Sequence, residues 1–407
     1  MKQIFILGQN PALSTAEIIT LTKRLELFVG LIEVSPEFLL LELRQALDLR
    51  QLGGTVKTGV VIDEVAEANL ELFVGRALQE LQKLALPKVW FGFSFYGQNS
   101  NYFQAKDAGM MIKRRLELVD IASRFVVAKG KQLSSVIVQK EHLLDKGRDF
   151  LVAAIGSKVY FGYTTAVQEF EAYGERDFGR PSRDAVSGML PPKLAKMMLN
   201  LAGIKSNTKT LDPFCGSGTV LQEALLLGVK KVYGTDSSAK AVADAQRNLN
   251  WLKTKQPNLS QQEVKIFQAD VKFIDKYFNE SKVDVIVTEP YLGPALKIKD
   301  LISFRKEPLK LQMLVKEIEQ LYSLALTVFV EILNPKGRVV MIWPNWKIGN
   351  KIYRLELVKK LNQLGFKIIN PLAEVKFGFK EKTERQTIIY QRNEQIILRE
   401  VVILERD

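Results

Sequence analysis

Histidine and cysteine are almost absent from this chain: its 407 residues include one of each, His142 and Cys215. A single cysteine cannot form an intramolecular disulfide, so nothing in the sequence points to an oxidising compartment. A zinc site of cysteines and histidines is excluded, and a histidine-based catalytic triad would depend on His142 alone. We therefore expect no metal centre.

Long apolar segments are missing as well. No run approaches the roughly 18 apolar residues that span a bilayer. The N-terminus, residues 1–8, has the pattern of a short strand and no signal-peptide cleavage region. These observations predict a cytoplasmic protein without a membrane partner.

Acidic residues are outnumbered, with 45 Asp and Glu against 58 Lys and Arg and a net charge of +13. A surplus of this size favours a polyanionic partner such as nucleic acid. The net charge is zero in residues 1–60, +1 in residues 61–180 and +12 in residues 181–407. Phosphate contacts are therefore expected in the C-terminal part, while the N-terminal part would act by shape, which suits a structured RNA.

The length predicts two to three domains, and the first two are mixed α+β units covering residues 1–60 and 61–175. In the second unit, residues 135–139 have a strand pattern. Residues 89–97 form an aromatic strand, whose rings could stack on RNA bases or pack in the core. We favour core packing.

From residue 180 to residue 407, strand and helix patterns alternate, which predicts a doubly wound, mostly parallel sheet with antiparallel strands at its end. Residues 353–364 are predicted to be helical. The strands before the functional motifs are predicted at residues 210–214, 231–236, 264–270 and 283–288.

The densest motif is Leu-Asp-Pro-Phe-Cys-Gly-Ser-Gly-Thr at residues 211–219, a glycine turn between a strand and a helix. Glycines allow a ligand to approach the backbone, and a helix N-terminus offers free N–H groups. An aspartate at the start of the turn is unsuited to a pyrophosphate. It suits a cationic ligand that carries an amino acid.

Three aspartates, Asp212, Asp236 and Asp270, end three successive predicted strands. Asp236 is placed to accept both hydroxyls of a ribose, and Asp270 to meet an adenine amino group. Three helix-capping carboxylates are the simpler alternative, which the glycine turn disfavours. We predict an S-adenosylmethionine site. Its predicted residues are Asp212, Phe214, Gly216, Ser217, Gly218, Thr219, Asp236, Ser237 and Asp270. Because Cys215 lies inside the turn, on the cofactor side, methylation of cytosine C5 through a cysteine nucleophile is disfavoured.

The fourth strand ends in Thr288, Glu289, Pro290 and Tyr291, which are the candidate catalytic residues. Enzymes that methylate amines place a polar-Pro-Pro-aromatic segment here. Its polar side chain and a backbone carbonyl hold the amine, while the aromatic ring stacks on the base. This sequence departs from that pattern. Either Glu289 occupies the polar position and one proline is lost, or Thr288 occupies the polar position and Glu289 replaces the first proline. We favour Glu289, because a carboxylate accepts hydrogen bonds better than a hydroxyl.

These motifs resemble those of the THUMP-associated RNA methyltransferases, especially the enzymes that make N2-methylguanosine in tRNA. Two flanking segments share the resemblance: residues 180–184 with 188–195, and residues 390–392 with 399–402. The resemblance is specific from about residue 180 onwards. Before that point it rests on the α+β pattern and on residues 6–11.

The resemblance implies a Rossmann-like class I methyltransferase domain in residues 180–407, with a seven-stranded, mostly parallel sheet. It also implies a ferredoxin-like module in residues 1–60 and a THUMP-like RNA-binding module in residues 61–175 that holds the acceptor end of tRNA. Met189 and Leu190 would lie near S-adenosylmethionine. The sequence thus predicts a tRNA guanine-N2 methyltransferase, and leaves the oligomeric state open.

Basic residues near the target motif are expected to form a phosphate-binding rim. They are Lys297, Lys299, Arg305, Lys306, Lys310, Lys376, Lys380, Lys382 and Arg385. Two other functions stay open. One is a DNA adenine-N6 or cytosine-N4 methyltransferase, which shares the amine motif. The other is a non-catalytic RNA-binding protein with a decayed methyltransferase fold.

Overall fold

The computed structural model describes residues 1–66, 69–97, 104–183, 189–294, 304, 307–349, 351–376, 385–392 and 396–407. The helices are α1 (Pro11–Arg24), α2 (Leu70–Gln82), α3 (Ala105–Glu117), α4 (Ser135–Lys140), α5 (Phe170–Gly174), α6 (Pro192–Leu201), α7 (Thr219–Leu226), α8 (Ala239–Lys255), α9 (Asp275–Phe278) and α10 (Pro308–Ile332). None of these helices combines the length and the apolar content that crossing a bilayer requires.

The strands of the N-terminal half are β1 (Lys2–Leu7), β2 (Phe28–Val34), β3 (Phe38–Leu43), β4 (Thr55–Val65), β5 (Lys88–Gly97), β6 (Ala122–Val126), β7 (Gly147–Ile155) and β8 (Lys158–Val167). Within the described chain they form one sheet in the order β2-β3-β1-β4-β8-β7-β5-β6. Strand β4 crosses the boundary expected at residue 60 and pairs with both β1 and β8. The two expected N-terminal units therefore share a continuous sheet.

The aromatic strand β5 packs into the core, as predicted. Phe91, Phe93 and Phe95 are buried, and the ring of Phe93 stacks on Phe150 with 6.1 Å between centroids. The strand prediction for residues 135–139 is wrong, because these residues form α4. The Ser134 hydroxyl caps this helix by accepting from the Ile137 N–H at 3.3 Å. Capping and the burial of one face override the β propensity of its branched residues.

The strands of the C-terminal half are β9 (Lys209–Asp212), β10 (Lys231–Asp236), β11 (Glu263–Gln268), β12 (Val283–Thr288), β13 (Leu333–Ile348), β14 (Lys351–Arg354), β15 (Phe366–Ile368), β16 (Ile388–Tyr390) and β17 (Ile397–Arg406). Among the described residues the main path has seven strands, β11-β10-β9-β12-β13-β17-β15, while β14 pairs with β13 and β16 pairs with β17. The first five run parallel, and β17 is antiparallel to both β13 and β15. The predicted mostly parallel, seven-stranded sheet is confirmed.

The helix predicted at residues 353–364 is wrong. Residues 351–354 form β14, which pairs with the end of β13, and residues 357–360 form a single 3₁₀ turn. The apolar spacing of this segment fits a helix. However, the long strand β13 extends past the sheet and offers its backbone groups to β14, and this pairing decides the local structure.

A buried hydrogen-bond cluster joins the two halves. The Glu17 carboxylate on α1 accepts from the N–H groups of Gly53 and Gly54 at 2.8 and 2.9 Å. It also accepts from Asn200 Nδ2 on α6 at 2.8 Å. Apolar residues of α1, such as Leu13, belong to the same core as α6 and α7. The N-terminal sheet is therefore fixed against the C-terminal sheet.

Candidate active site

A pocket of about 440 Å³ opens at the carboxyl edge of the C-terminal sheet, where β9, β10, β11 and β12 end side by side. It brings together thirteen of the fifteen predicted site residues. They are Met189, Leu190, Asp212, Phe214, Gly216, Ser217, Thr219, Asp236, Ser237, Asp270, Glu289, Pro290 and Tyr291. Gly218 and Thr288 do not line the pocket.

The glycine turn between β9 and α7 is fixed by backbone hydrogen bonds. The Cys215 N–H donates to the Thr235 carbonyl at 2.9 Å, and the Gly218 N–H donates to the Cys215 carbonyl at 2.7 Å. Gly216 has φ +49, and a Cβ built there would meet no atom within 4 Å. Gly218 has φ +82, and its Cβ would lie 3.2 Å from the Ala245 Cβ on α8. Gly216 thus leaves room for a ligand, whereas Gly218 lets α7 pack against α8.

Asp236, at the end of β10, holds this turn in place. Its Oδ2 accepts from the Gly216 N–H at 3.0 Å, and its Oδ1 accepts from the Ser238 N–H at 2.9 Å. The side chain is half-buried and lines the pocket. Each carboxylate oxygen can accept more than one hydrogen bond, so Asp236 keeps acceptor capacity towards the pocket.

Asp212, at the end of β9, is a buried carboxyl group. Its Oδ1 accepts from the Thr288 hydroxyl at 2.7 Å and from the Phe214 N–H at 3.1 Å. Burial raises its pKa from 3.8 to about 7, and the charges of Asp236 and Glu289 push the pKa in the same direction. No cation among the described residues forms an ion pair with it. A cationic ligand in the pocket would stabilise the ionised form.

Asp212 predicts a pH dependence of stability. Because its pKa is higher in the folded chain, the folded state binds more protons between pH 4 and 7, and Asp212 lowers stability as pH rises through this range. We expect Asp212→Asn to gain about 4 kcal/mol in the free energy of unfolding relative to wild type between pH 4 and pH 8. Denaturant titrations at both pH values measure this gain. The prediction is contradicted if the variant and wild type differ in free energy of unfolding by the same amount at pH 4 and pH 8.

The remaining predicted cofactor residues close the sides of the pocket. Asp270 is exposed and caps the 3₁₀ turn at residues 271–273, where its Oδ1 accepts from the Lys272 N–H at 3.0 Å. Arg180 is buried and donates to the Thr219 hydroxyl at 2.7 Å and to the Met189 sulfur. Arg180 therefore ties Met189 to the first turn of α7.

Glu289 faces the pocket and is held by Arg399 of β17. Arg399 Nε donates to Glu289 Oε1 at 2.6 Å, and Nη2 lies 3.4 Å from Oε2. Both side chains are nearly buried, with 12% and 11% exposure. Burial alone would lower the pKa of Arg399, but the charge and hydrogen bonds of Glu289 outweigh it and raise the pKa. Thr288, in contrast, is fully buried and donates to Asp212.

The loop after Glu289 places Tyr291 at the mouth of the pocket. Its side chain is 53% exposed, and its carbonyl accepts from the Tyr322 hydroxyl of α10 at 3.4 Å. Gly293 has φ +100, where a side chain would be strained, and its Cβ would lie 3.7 Å from the Trp346 ring. The loop is thus shaped by contacts with α10 and β13.

Cys215 is buried within the turn, and burial raises the pKa of its thiol. A thiol of this kind is a poor nucleophile at neutral pH. This environment agrees with the prediction that Cys215 has no nucleophilic role.

The sequence prediction missed Arg399 as a site residue, although it is an isolated arginine in a buried strand. It also missed Lys240 and Asp244, which line the pocket one helical turn apart and form an ion pair at 2.6 Å. Their spacing on the helix after Asp236 was an available signal.

Most of the expected basic rim lies outside the described residues: Lys297, Lys299, Arg305, Lys306, Lys380 and Lys382. Of the others, Lys376 is exposed, and Lys310 pairs with Glu307 at 2.7 Å. Arg385 is buried and donates to the Leu355 carbonyl at 2.6 Å. Arg385 therefore has a structural role, and the prediction that it belongs to an exposed rim is wrong.

Comparisons with known proteins agree with this geometry. Residues 180–304 match the UPF0020 family model, described as an RMKL-like methyltransferase domain. The whole chain superposes on the crystal structure of TrmN from Thermus thermophilus with a TM-score of 0.55 and 16% identity, covering 100% of both chains. The fold is that of a class I methyltransferase. Because the sequence identity to TrmN is low, the similarity to that structure concerns the fold alone.

Several curated tRNA methyltransferases are similar to part of this chain. The tRNA (guanine(10)-N2)-dimethyltransferase of Methanocaldococcus jannaschii is 38% identical over 109 residues, which are 26% of this chain and 29% of that protein. The tRNA (guanine(10)-N2)-dimethyltransferase of Pyrococcus abyssi is 28% identical over 194 residues, which are 48% of this chain and 46% of that protein. A tRNA (guanine(6)-N2)-methyltransferase of Thermus thermophilus is 32% identical over 123 residues, 28% of this chain and 32% of the relative. The chain thus matches less than half the length of each of these three relatives.

Proposed function

We propose that this chain is an S-adenosylmethionine-dependent methyltransferase that modifies the exocyclic N2 amine of a guanosine in tRNA. One observation carries the proposal: Asp212, Asp236 and Asp270 surround a single pocket, and Glu289 and Tyr291 lie at its mouth. The similarity of residues 180–304 to a methyltransferase domain, and the names of the tRNA-modifying relatives, support the reaction and the substrate.

The pocket residues fit S-adenosylmethionine. Asp212 is a buried carboxyl group without a cationic partner among the described residues, and this ligand carries an ammonium and a sulfonium. Asp236 would accept from its ribose hydroxyls, Asp270 would meet its adenine, and Gly216 leaves space for close approach. When bound, S-adenosylmethionine supplies an electrophilic methyl group, and the reaction requires no metal.

The loop after β12 would hold the target amine. Glu289 Oε1 is engaged by Arg399 at 2.6 Å, whereas Oε2 is held only at 3.4 Å and keeps lone pairs for another donor. An amine N–H that donates to Oε2 would be oriented for reaction. The exposed ring of Tyr291 would stack on the base once it leaves its helix. Thr288 would instead orient Asp212, to which its hydroxyl donates a hydrogen bond at 2.7 Å.

We assign residues 1–60 and 61–175 to ferredoxin-like and THUMP-like modules that position tRNA. This assignment treats the continuous N-terminal sheet as a rigid support, since Glu17, Gly53 and Asn200 fix it to the methyltransferase fold. A tRNA substrate also places the enzyme in the cytoplasm. The sheet then determines which nucleotide reaches Tyr291.

A nucleoside assay tests the proposal. Unmodified tRNA, or duplex DNA, is incubated with S-adenosylmethionine and the protein, and the nucleosides are identified by mass spectrometry. We expect N2-methylguanosine or its dimethyl form with wild type and neither with Asp212→Asn. Methylated adenine or cytosine in DNA would favour the DNA-modifying alternative. Cofactor binding without any product would favour an RNA-binding protein.

A further inference from the structure

A second cavity, of about 740 Å³, lies at the opposite, amino-terminal edge of the C-terminal sheet. Its floor comes from the starts of β12 and β13 and from the segment that connects α6 to β9. Its other wall comes from the C-terminal turn of α1 and from β2 of the N-terminal sheet. The size is in the range of sites for small organic ligands, which is about 300–1,000 Å³. No residue of this cavity belongs to the candidate active site.

The lining of this cavity is basic. Its cationic side chains are Lys23, Arg24, Lys205, Lys336 and Arg338, and its acidic side chains are Asp284 and Glu374. Both Asp284 oxygens are engaged inside the fold: one accepts from the Lys209 N–H at 2.8 Å, the other from Asn334 Nδ2 at 2.7 Å. Glu374 pairs with Lys23 at 2.5 Å. The lining therefore carries five cationic side chains against two acidic ones, and both acidic side chains are engaged within the fold.

Arg24 gives the sharpest indication of an absent anion. Its Nε and Nη1 atoms are buried and have no hydrogen-bond partner among the described residues. Burial lowers the pKa of its guanidinium, because the charge is partly removed from water without compensation. A partly buried guanidinium whose buried N–H groups have no acceptor is costly, and a carboxylate or phosphate is the ligand that a guanidinium fits best.

The other cations and the apolar residues that line the cavity indicate which class of ligand it would bind. Lys205 and Lys336 are exposed at the rim and form no ion pair with any described residue. Arg338 forms a long ion pair with Glu405 at 3.6 Å, and Glu405 also pairs with Lys367 at 2.9 Å, so Arg338 shares its counter-charge. The Phe28 ring lines the cavity beside these charges. Lys23 lies over this ring, 5.5 Å from its centroid. Several cations beside the apolar residues Phe28 and Leu31 suit a phosphate attached to an organic group.

We propose that this cavity binds a phosphorylated ligand through Arg24, Lys205, Lys336 and Arg338. The phosphate belongs either to a free nucleotide or to the backbone of a bound RNA, and both sources share the same chemistry. The proposal does not depend on the methyltransferase reaction, because the cavity and the candidate active site lie at opposite edges of the sheet.

Binding measurements on the full chain test the proposal, with inorganic phosphate, ATP and an unmodified tRNA as probes. The variant Lys205→Gln/Lys336→Gln removes two rim charges. The control, Lys230→Gln/Lys231→Gln, removes two exposed charges from the same edge of the sheet outside the cavity. We expect the rim variant to weaken binding about tenfold, which corresponds to about 1.4 kcal/mol, and the control to weaken it less than about twofold.

The pattern among the probes identifies the source of the phosphate. If ATP or phosphate binds and the rim variant weakens that binding, the ligand is a free phosphorylated molecule. If the rim variant weakens only the binding of tRNA, the phosphate belongs to the RNA backbone. Failure of all three probes to bind, or equal losses in the rim and control variants, overturns the proposal. None of these outcomes depends on whether the chain methylates RNA.

Arg24→Met provides an independent readout. Without ligand, we expect the variant to have a higher Tm than wild type, because it removes two buried N–H groups that have no acceptor among the described residues. With saturating ATP, or with tRNA if only tRNA binds, wild type should gain stability and the variant should gain much less. A lower Tm without ligand, together with an unchanged gain on ligand addition, would show that Arg24 has a purely structural role.

Discussion

Replacing Glu289 with alanine is expected to lower kcat for guanosine methylation by about 100- to 1,000-fold, the usual loss when a hydrogen-bonding group that orients the reacting centre is removed. Affinity for S-adenosylmethionine should change little, because Glu289 contributes to the mouth of the pocket and Asp212 and Asp236 to its base. Glu289→Gln retains an acceptor oxygen but loses the charge, so its rate should lie between those of wild type and alanine. Single-turnover rates with tRNA measure the effect.

The pairing with Arg399 requires a control, because either Glu289 variant leaves a nearly buried guanidinium without a partner. Such a loss costs about 3–5 kcal/mol of stability and could itself reduce activity. The double variant Glu289→Gln/Arg399→Met removes both charges. We expect it to regain stability while its kcat stays low. Recovery of activity in the double variant, or full activity in Glu289→Ala, would show that Glu289 does not orient the amine.

The three aspartates show which part of the candidate site could be predicted from the sequence alone. Asp212 and Asp236 are the last residues of their strands and Asp270 follows its strand by two residues, and the carboxyl ends of parallel strands meet at one edge of a sheet. Their convergence on a pocket was therefore predictable from strand order. The preference for Glu289 over Thr288 rested on acceptor strength alone. The 2.7 Å hydrogen bond from Thr288 to Asp212, between residues 76 positions apart, supports this preference and could not be read from the sequence.

Long-range pairing also explains the error in secondary structure, and it joins the two expected N-terminal units in one sheet. Residues 353–364 have helical apolar spacing, yet pairing with β13 makes residues 351–354 a strand. The boundary expected at residue 60 falls inside β4, because β4 joins β1 to β8. Arg399 was missed for the same reason, since it is 110 positions away from Glu289 along the chain.

The distribution of charge shows a related limit. The sequence correctly locates the surplus of +12 beyond residue 180. It does not show that Arg385 is buried, or that Lys205, Lys336 and Arg338 surround a cavity at the other edge of the sheet. Within the described residues, part of the basic character of the domain therefore lies at the edge of the sheet opposite the candidate active site.

Asp236→Ala is expected to weaken S-adenosylmethionine binding by about 100-fold, since two charge-assisted hydrogen bonds to ribose are worth about 3 kcal/mol together. The variant also frees the Gly216 N–H from its 3.0 Å hydrogen bond, which loosens the glycine turn. S-Adenosylhomocysteine contains the same ribose and should lose affinity equally. Isothermal titration calorimetry with both ligands measures this.

Asp244→Asn is the matched control for Asp236. Asp244 lines the same pocket, but its carboxylate pairs with Lys240 at 2.6 Å and also contacts Arg247. With its oxygens engaged by these cations, it has little capacity left for a ligand, and its loss should change affinity by less than about threefold. Equal losses in the two variants would mean that the negative charge of the pocket, rather than the position of Asp236 at the end of β10, determines ligand binding.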